Sequence, residues 1–197
     1  MNNSIIQIKC DRSFSDDLPS SWNIYINLGN EKFVLRNVKG PKTTKEHLEY
    51  LIFRFIEDYL QIFSQIKKAW TVESCHPSYR DKWSADNPST GQCYVTAALI
   101  QHYYGGKVYR CMVDGGSHYF NKIGNEIIDL TAEQFSYLDN YKDVLQEQYN
   151  LATEAEINIV SSSAYDRYLL LSNKIIVDFS AVPLRDLTKL IAPVLVG

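Results

Sequence analysis

The sequence predicts a mixed α+β fold, in which a β-hairpin and a long helix precede a second helix packed on an antiparallel sheet. Three patterns predict it. Residues 4–38 alternate apolar and polar side chains, residues 45–70 repeat their apolar positions at helical spacing, and residues 92–130 run from a helical period into three short strands.

The first block is β-rich. Ile6, Ile8 and Cys10 alternate with polar neighbours, as does the run Trp22-Asn23-Ile24-Tyr25-Ile26. Leu28-Gly29-Asn30-Glu31 supplies a turn before Lys32-Phe33-Val34-Leu35, so a hairpin is expected. Gly40-Pro41 closes the block. Thr43 or Thr44 can cap one helix from Lys45 to Trp70, with Leu48, Ile52, Phe55, Ile56, Tyr59 and Phe63 on one broad apolar face. Residues 71–91 lose that period and contain Pro77, Pro88 and Gly91, which reads as a long ordered loop, a kind often functional.

Helical spacing returns from Gln92 to Tyr104, with Val95, Ala98, Leu99 and His102 on one face and Gly105-Gly106 as the stop. Strands are expected at Lys107–Asp114, Ser117–Ile123 and Glu126–Leu130, the last two joined by a tight Gly124-Asn125 turn. A short helix should begin at Thr131. Residues 136–163 are polar and carry no clear period, while Tyr168–Val177 fits either helix or strand. Domain organisation follows: residues 1–69 form a β-plus-helix extension, and residues 70–197 form the domain that carries the chemistry.

Composition narrows the function classes. With 197 residues, 45% hydrophobic and 22% charged, the chain can bury a core. A net charge of -3 gives none of the basic field of a general nucleic-acid binder. The N-terminus shows no secretory pattern, and no apolar run approaches the ~20 residues of a membrane span, so a cytoplasmic protein with no membrane partner is expected. There the four cysteines, irregularly spaced, would stay reduced.

The candidate chemistry centres on Cys93. It opens the helix after Pro88-Ser89-Thr90-Gly91-Gln92, where free backbone N–H groups and the helix dipole favour negative charge on sulfur. The same N–H groups can donate to a developing oxyanion. Gly91 lets the backbone come close to a substrate. Taken alone, a cysteine in a helix is more often a core residue. His118 and Asp129 change the balance. With a two-residue turn, His118 lies opposite Thr131 and Phe120 opposite Asp129, so His118 and Asp129 share a face one diagonal step apart. Any even loop keeps them together and an odd one separates them. Thiol, imidazole and carboxylate then have the nucleophile, base and orienter roles of acyl-transfer catalysis.

The run Trp83-Ser84 … Asn87-Pro88-Ser89-Thr90-Gly91-Gln92-Cys93, followed by His118-Tyr119-Phe120-Asn121 and Ile128-Asp129-Leu130-Thr131, resembles the YunG-like family of bacterial proteins. The resemblance covers roughly residues 70–175 and ends in Arg167-Tyr168-Leu169-Leu170-Leu171. It implies a papain-like or transglutaminase-like cysteine peptidase fold. Gly91-Gln92-Cys93-Tyr94-Val95 is also similar to the nucleophile motif of transglutaminases, which run Cys, His, Asp along the chain. Asn87 stands six positions before Cys93, the offset at which papain-like enzymes carry their oxyanion glutamine. Gln92 is its rival for that role.

The expected function is thiol-dependent acyl transfer on a peptide, protein or glutamine-like amide, by hydrolysis, deamidation or transfer, with no cofactor. Trp83, Gly91, Tyr119 and Asn121 are cleft candidates, and Trp70 and Trp83 can wall or pin the loop before Cys93. Cys75-His76 lacks a second ligand pair, so no metal site is expected. His102 reads as an edge histidine, His47 as exposed and Cys111 as core. The competing reading is a non-catalytic interaction module that keeps the fold and binds a protein partner through residues 1–69.

Overall fold

A computed structural model describes residues 5–13, 21–39, 44–124, 126–179 and 182. Gly40, Pro41, Thr43 and Asn125 lie outside the described residues. The fold is mixed α+β with two antiparallel sheets, and the chain divides into two compact units. One holds residues 1–61, 124–126 and 177–197; the other holds residues 62–123 and 127–176.

The first unit begins with three antiparallel strands, β1 (Ile6–Ser13), β2 (Ser21–Leu28) and β3 (Glu31–Lys39), in the order β1-β2-β3. Leu28 pairs with Glu31, so Gly29 and Asn30 make the expected two-residue turn, with Gly29 at φ 58°. Alternation puts Ile6, Cys10, Trp22, Ile24, Ile26 and Leu28 in the core. Helix α1 (Lys45–Leu60) packs on β1 through Leu48, Ile52 and Ile56. Thr44 caps it by accepting from the His47 N–H at 3.2 Å, and His47 is exposed. The Glu49 carboxylate accepts from the Cys10 N–H at 2.8 Å, tying helix to strand.

The single helix expected over 45–70 is in fact two. Gln61 adopts a left-handed φ of 52° and its N–H closes on the Glu57 carbonyl, ending α1. Helix α2 (Ile62–Ala69) then buries Ile62, Ile66 and Ala69. From Leu60 to Ile62 is two residues, or ~200° around a straight helix, so the two apolar stripes cannot belong to one face.

In the second unit, residues 71–91 form the ordered loop, with a 3₁₀ turn at Pro77–Lys82. Helix α3 (Cys93–Tyr104) follows, with Gln92 as its N-cap and Gly105 at φ 72° as its stop. Strands β4 (Lys107–Val113) and β5 (Gly116–Ile123) pair through a turn at Asp114 and Gly115, and β6 (Glu126–Ile128) flanks β5. The last strand stops at Ile128 rather than Leu130, because the Asp129 carboxylate turns back onto the Thr131 N–H at 2.9 Å. A 3₁₀ turn occupies Ala132–Phe135. The polar stretch over 136–163 contains helix α4 (Tyr141–Leu151) and strand β7 (Thr153–Ala155), which pairs with β4. The ambiguous apolar stretch is helical: α5 (Tyr165–Ser172) buries Arg167 and Leu171, one turn apart. The sheet order is β6-β5-β4-β7.

Period two on β5 sorts its side chains between two layers. His118 and Phe120 face α4 and the 132–135 turn, where Cys111, Val113, Phe135 and Leu145 complete a core. Tyr119 meets Tyr94 of α3 edge-on at 5.0 Å. Asn121, fully buried, donates its amide to the Ala97 carbonyl of α3 at 3.0 Å. Cys111 stands opposite His118 in the register and is buried, as expected of a core residue.

Candidate active site

Cys93 is the first residue of α3. The first helical N–H to find a backbone acceptor is that of Thr96, on the Gln92 carbonyl at 3.0 Å, so the N–H groups ahead of it remain as donors. Cys93 is part-exposed and lines a cleft of about 610 Å³. Its sulfur lies 4.0 Å from the Ser117 carbonyl, too long a contact to commit it to a structural role.

His118 and Asp129 are brought together. His118 Nε2 and Asp129 Oδ2 are 2.6 Å apart, and both side chains are buried. Asp129 is saturated: Tyr149 donates its hydroxyl to Oδ2 at 2.7 Å, and Thr131 donates its N–H and hydroxyl to Oδ1 at 2.9 and 3.0 Å. Burial alone would push the Asp129 carboxyl up, but His118 and these donors outweigh it and hold it below the usual carboxylate range. Burial likewise works against charge on His118. The Asp129 carboxylate outweighs it, with Cys93 adding both a hydrogen bond and charge, and the imidazole is held above its ordinary range. The ring sits edge-on to Phe135 at 4.9 Å, which keeps water from it.

With Nε2 committed to Asp129, the ring's second nitrogen is the one available to the thiol. Gln134 Nε2 stands 3.3 Å from this Nδ1 and also donates to the Thr131 carbonyl at 3.0 Å. That second bond fixes which end of the amide faces the ring. Neither Gln134 nor Tyr149 was singled out from sequence. Tyr149 lies on α4, where Tyr141, Val144, Leu145 and Tyr149 stand at helical spacing, a signal obscured by the polar residues between them. Gln134 had a weak signal, three residues beyond Thr131 in the short helical stretch.

The remaining candidates are placed less centrally. Asn87 donates its amide to the Glu133 and Gln134 carbonyls at 3.3 and 3.4 Å and accepts from the Ser89 hydroxyl at 2.8 Å. Gln92, fully buried, donates to the Thr71 carbonyl at 2.9 Å. Neither residue lines the cleft, and both amides are engaged by backbone carbonyls. Trp83 donates to the Pro88 carbonyl at 3.1 Å and Trp70 to the Thr96 hydroxyl at 3.1 Å, so both pin the loop. Of the cleft candidates, Gly91 and Tyr119 line it, whereas Trp83 and the buried Asn121 do not. Gly91, at φ 67°, is tight against its own chain: a Cβ there would come within 2.7 Å of the Cys75 sulfur. His102 is an exposed edge residue against Tyr103 and Tyr168. Among the described residues no three His, Cys, Asp or Glu side chains are grouped to hold a metal, and no helix is long and apolar enough to cross a membrane.

Comparison with known proteins locates the same stretch. The chain is 36% identical over 101 residues to the uncharacterized protein YunG of Bacillus subtilis (strain 168), covering 46% of this chain and 84% of the relative. No solved structure matches. The family model described as YunG protein matches residues 58–179, which include the loop, α3, the β4–β6 sheet, α4 and α5. The chain belongs to the YunG family.

Proposed function

We propose that the chain is a thiol-dependent acyl-transfer enzyme with a papain-like or transglutaminase-like core, Cys93 its nucleophile, His118 its base and Asp129 the group that orients the base. The observation that carries this reading is the buried His118–Asp129 contact at 2.6 Å, which leaves Nδ1 for a thiol on a helix N-terminus lining a cleft. A surface imidazole would gain no such tautomer control.

In the reaction, Cys93 Sγ attacks the carbonyl carbon of a peptide or glutamine-like amide. The C–N bond breaks, and Nδ1 of His118 passes the thiol proton to the leaving nitrogen, giving a thioester. Water or an amine then attacks the thioester, His118 takes its proton, and the thiol is regenerated as the acyl group leaves. The Cys93 backbone N–H, free at the start of α3, serves as an oxyanion donor. Gln134 has a place in this cycle. While Nδ1 carries the proton towards sulfur, its amide is a bystander. Once the proton has gone to the leaving group, the amide donates to the bare Nδ1 and supports the neutral imidazole.

Site-resolved labelling with iodoacetamide at neutral pH tests this. Cys93 is expected to react well ahead of Cys10, Cys75 and Cys111, all three of which are buried, and to react more slowly in His118→Ala. Because exposure alone favours Cys93, the His118 dependence is the deciding arm. A rate indifferent to His118 would favour the non-catalytic interaction module instead.

A further inference from the structure

Arg167 is the buried charge in the second unit that the reaction does not use. Its residue is only 7% exposed, yet it lines the cleft beside Cys93. Among the described residues its one hydrogen bond runs from Nη1 to the Ser74 carbonyl at 3.3 Å, and Nε has no partner. No carboxylate among the described residues forms an ion pair with it. Asp114, the one carboxylate lining the cleft, accepts from the Tyr137 hydroxyl at 2.8 Å, and Asp166 in the first turn of α5 is exposed. A guanidinium buried without a counter-ion is costly, and burial works against its charge here.

The surroundings suit an anion. Nη1 is engaged and Nε is unpartnered but enclosed, so the guanidinium meets the cleft through its remaining N–H groups, which suit the oxygens of a carboxylate. His76 lines the same cleft, and its Nδ1 accepts from the Ser78 N–H at 3.2 Å. Burial and the Arg167 charge both keep His76 neutral, so its remaining proton sits on Nε2 as a further donor. Ala164, the N-cap of α5, also lines the cleft, bringing the positive end of that helix to it.

We infer that the cleft contains a carboxylate-binding subsite anchored by Arg167, with His76 as a second donor, so that the acyl substrate carries a free carboxylate near the bond that Cys93 attacks. This rests on the acyl-transfer reading above and narrows it: a chain terminus or a small amino-acid amide fits, and the interior of an uncharged polypeptide does not.

Two alkylating agents that differ only in this group test it. Rates of Cys93 modification by iodoacetate and by iodoacetamide are measured site by site on the full chain, and their ratio is compared with that of N-acetylcysteine, so that general thiol reactivity cancels. The ratio is expected to exceed the free-thiol value by about tenfold, the scale of one charge-assisted contact. Arg167→Gln should remove most of that excess, although His118 is still present, and Arg167→Lys should keep part of it. Acetate should slow the iodoacetate reaction of the wild-type chain more than inorganic phosphate does at equal concentration. A wild-type ratio equal to that of N-acetylcysteine overturns the inference, as does an excess that survives in Arg167→Gln. Protection by phosphate equal to that by acetate overturns the carboxylate assignment. If neither variant folds, the wild-type ratio and the acetate–phosphate comparison still decide. Loss of the nucleophile reading would show separately, as slow, His118-independent reaction with iodoacetamide.

Discussion

Asp129→Asn probes the orienter while nearly preserving shape. The carboxylate accepts four hydrogen bonds, two on each oxygen. An asparagine can place its carbonyl oxygen at the Oδ1 position and still accept from Thr131. Its NH2 then occupies the Oδ2 position, facing His118 Nε2 and the Tyr149 hydroxyl. The hydroxyl can rotate and accept. The imidazole can accept only by moving its proton from Nε2 to Nδ1, which takes the lone pair away from the thiol. The stability cost is the charge-assisted bond to His118, about 1.5–3 kcal/mol, because the other contacts survive. The kinetic cost is larger for catalysis, about 10³- to 10⁴-fold by analogy with the same change in other triads. No substrate is needed to see its first part. An unassisted thiol is about 3% ionised at neutral pH, so full assistance is worth at most about thirtyfold in alkylation rate. Asp129→Asn is expected to lower the iodoacetamide rate of Cys93 by about tenfold and to shift the urea unfolding free energy by about 2 kcal/mol. An unchanged rate in a variant that is also destabilised by less than about 0.5 kcal/mol would refute the tautomer argument.

Other consequences are open to test. Tyr149→Phe removes one donor from the buried Asp129 carboxylate and should destabilise the chain by about 1–2 kcal/mol in urea, together with a smaller loss of Cys93 reactivity. An unchanged midpoint would detach α4 from the site. Gly91→Ala meets both a left-handed φ and the Cys75 sulfur, and should cost about 1–3 kcal/mol, read by thermal unfolding; a neutral result would contradict the packing of the loop. The pH dependence has a definite sign. His118 is raised, so its contribution is whole below the ordinary imidazole value of about 6.5 and is lost as pH climbs towards about 10. Asp129 is lowered, so its contribution is whole above the ordinary carboxyl value of about 3.9 and is lost on further acidification. Stability should therefore fall away on both sides of that window in the wild type, and more gently in the double variant His118→Ala with Asp129→Ala, as a pH series of urea titrations would show.

What the sequence made legible depends on how local the information is. Cys93 could be placed because Gln92 to Gly105 carries a helix period with a start and a stop, and the His118–Asp129 pairing could be expected on condition of an even turn between their strands. The break at Gln61 was also written locally, in the phase jump between Leu60 and Ile62, but a broad apolar face absorbed it. Helix α4 left a fainter trace, the spacing of Tyr141, Val144, Leu145 and Tyr149 within a polar stretch, and it lends the site one hydroxyl from Tyr149. Asn87 and Gln92 show a different limit. Their position near Cys93 was visible, but the carbonyls that claim their amides, at Glu133, Gln134 and Thr71, are set by tertiary packing. Arg167 belongs to the same class, because its lack of an ion pair among the described residues emerges only once α5 is placed beside the cleft.

The most direct measurement of the central claim is the mass of the protein after brief exposure to an activated ester such as p-nitrophenyl acetate. The expected result is one acetyl group, mapped to Cys93, formed and then lost in the wild type, formed slowly in His118→Ala and absent in Cys93→Ala. Acetylation spread over surface lysines with none on Cys93, or acetylation of Cys93 at the same rate with and without His118, would contradict it.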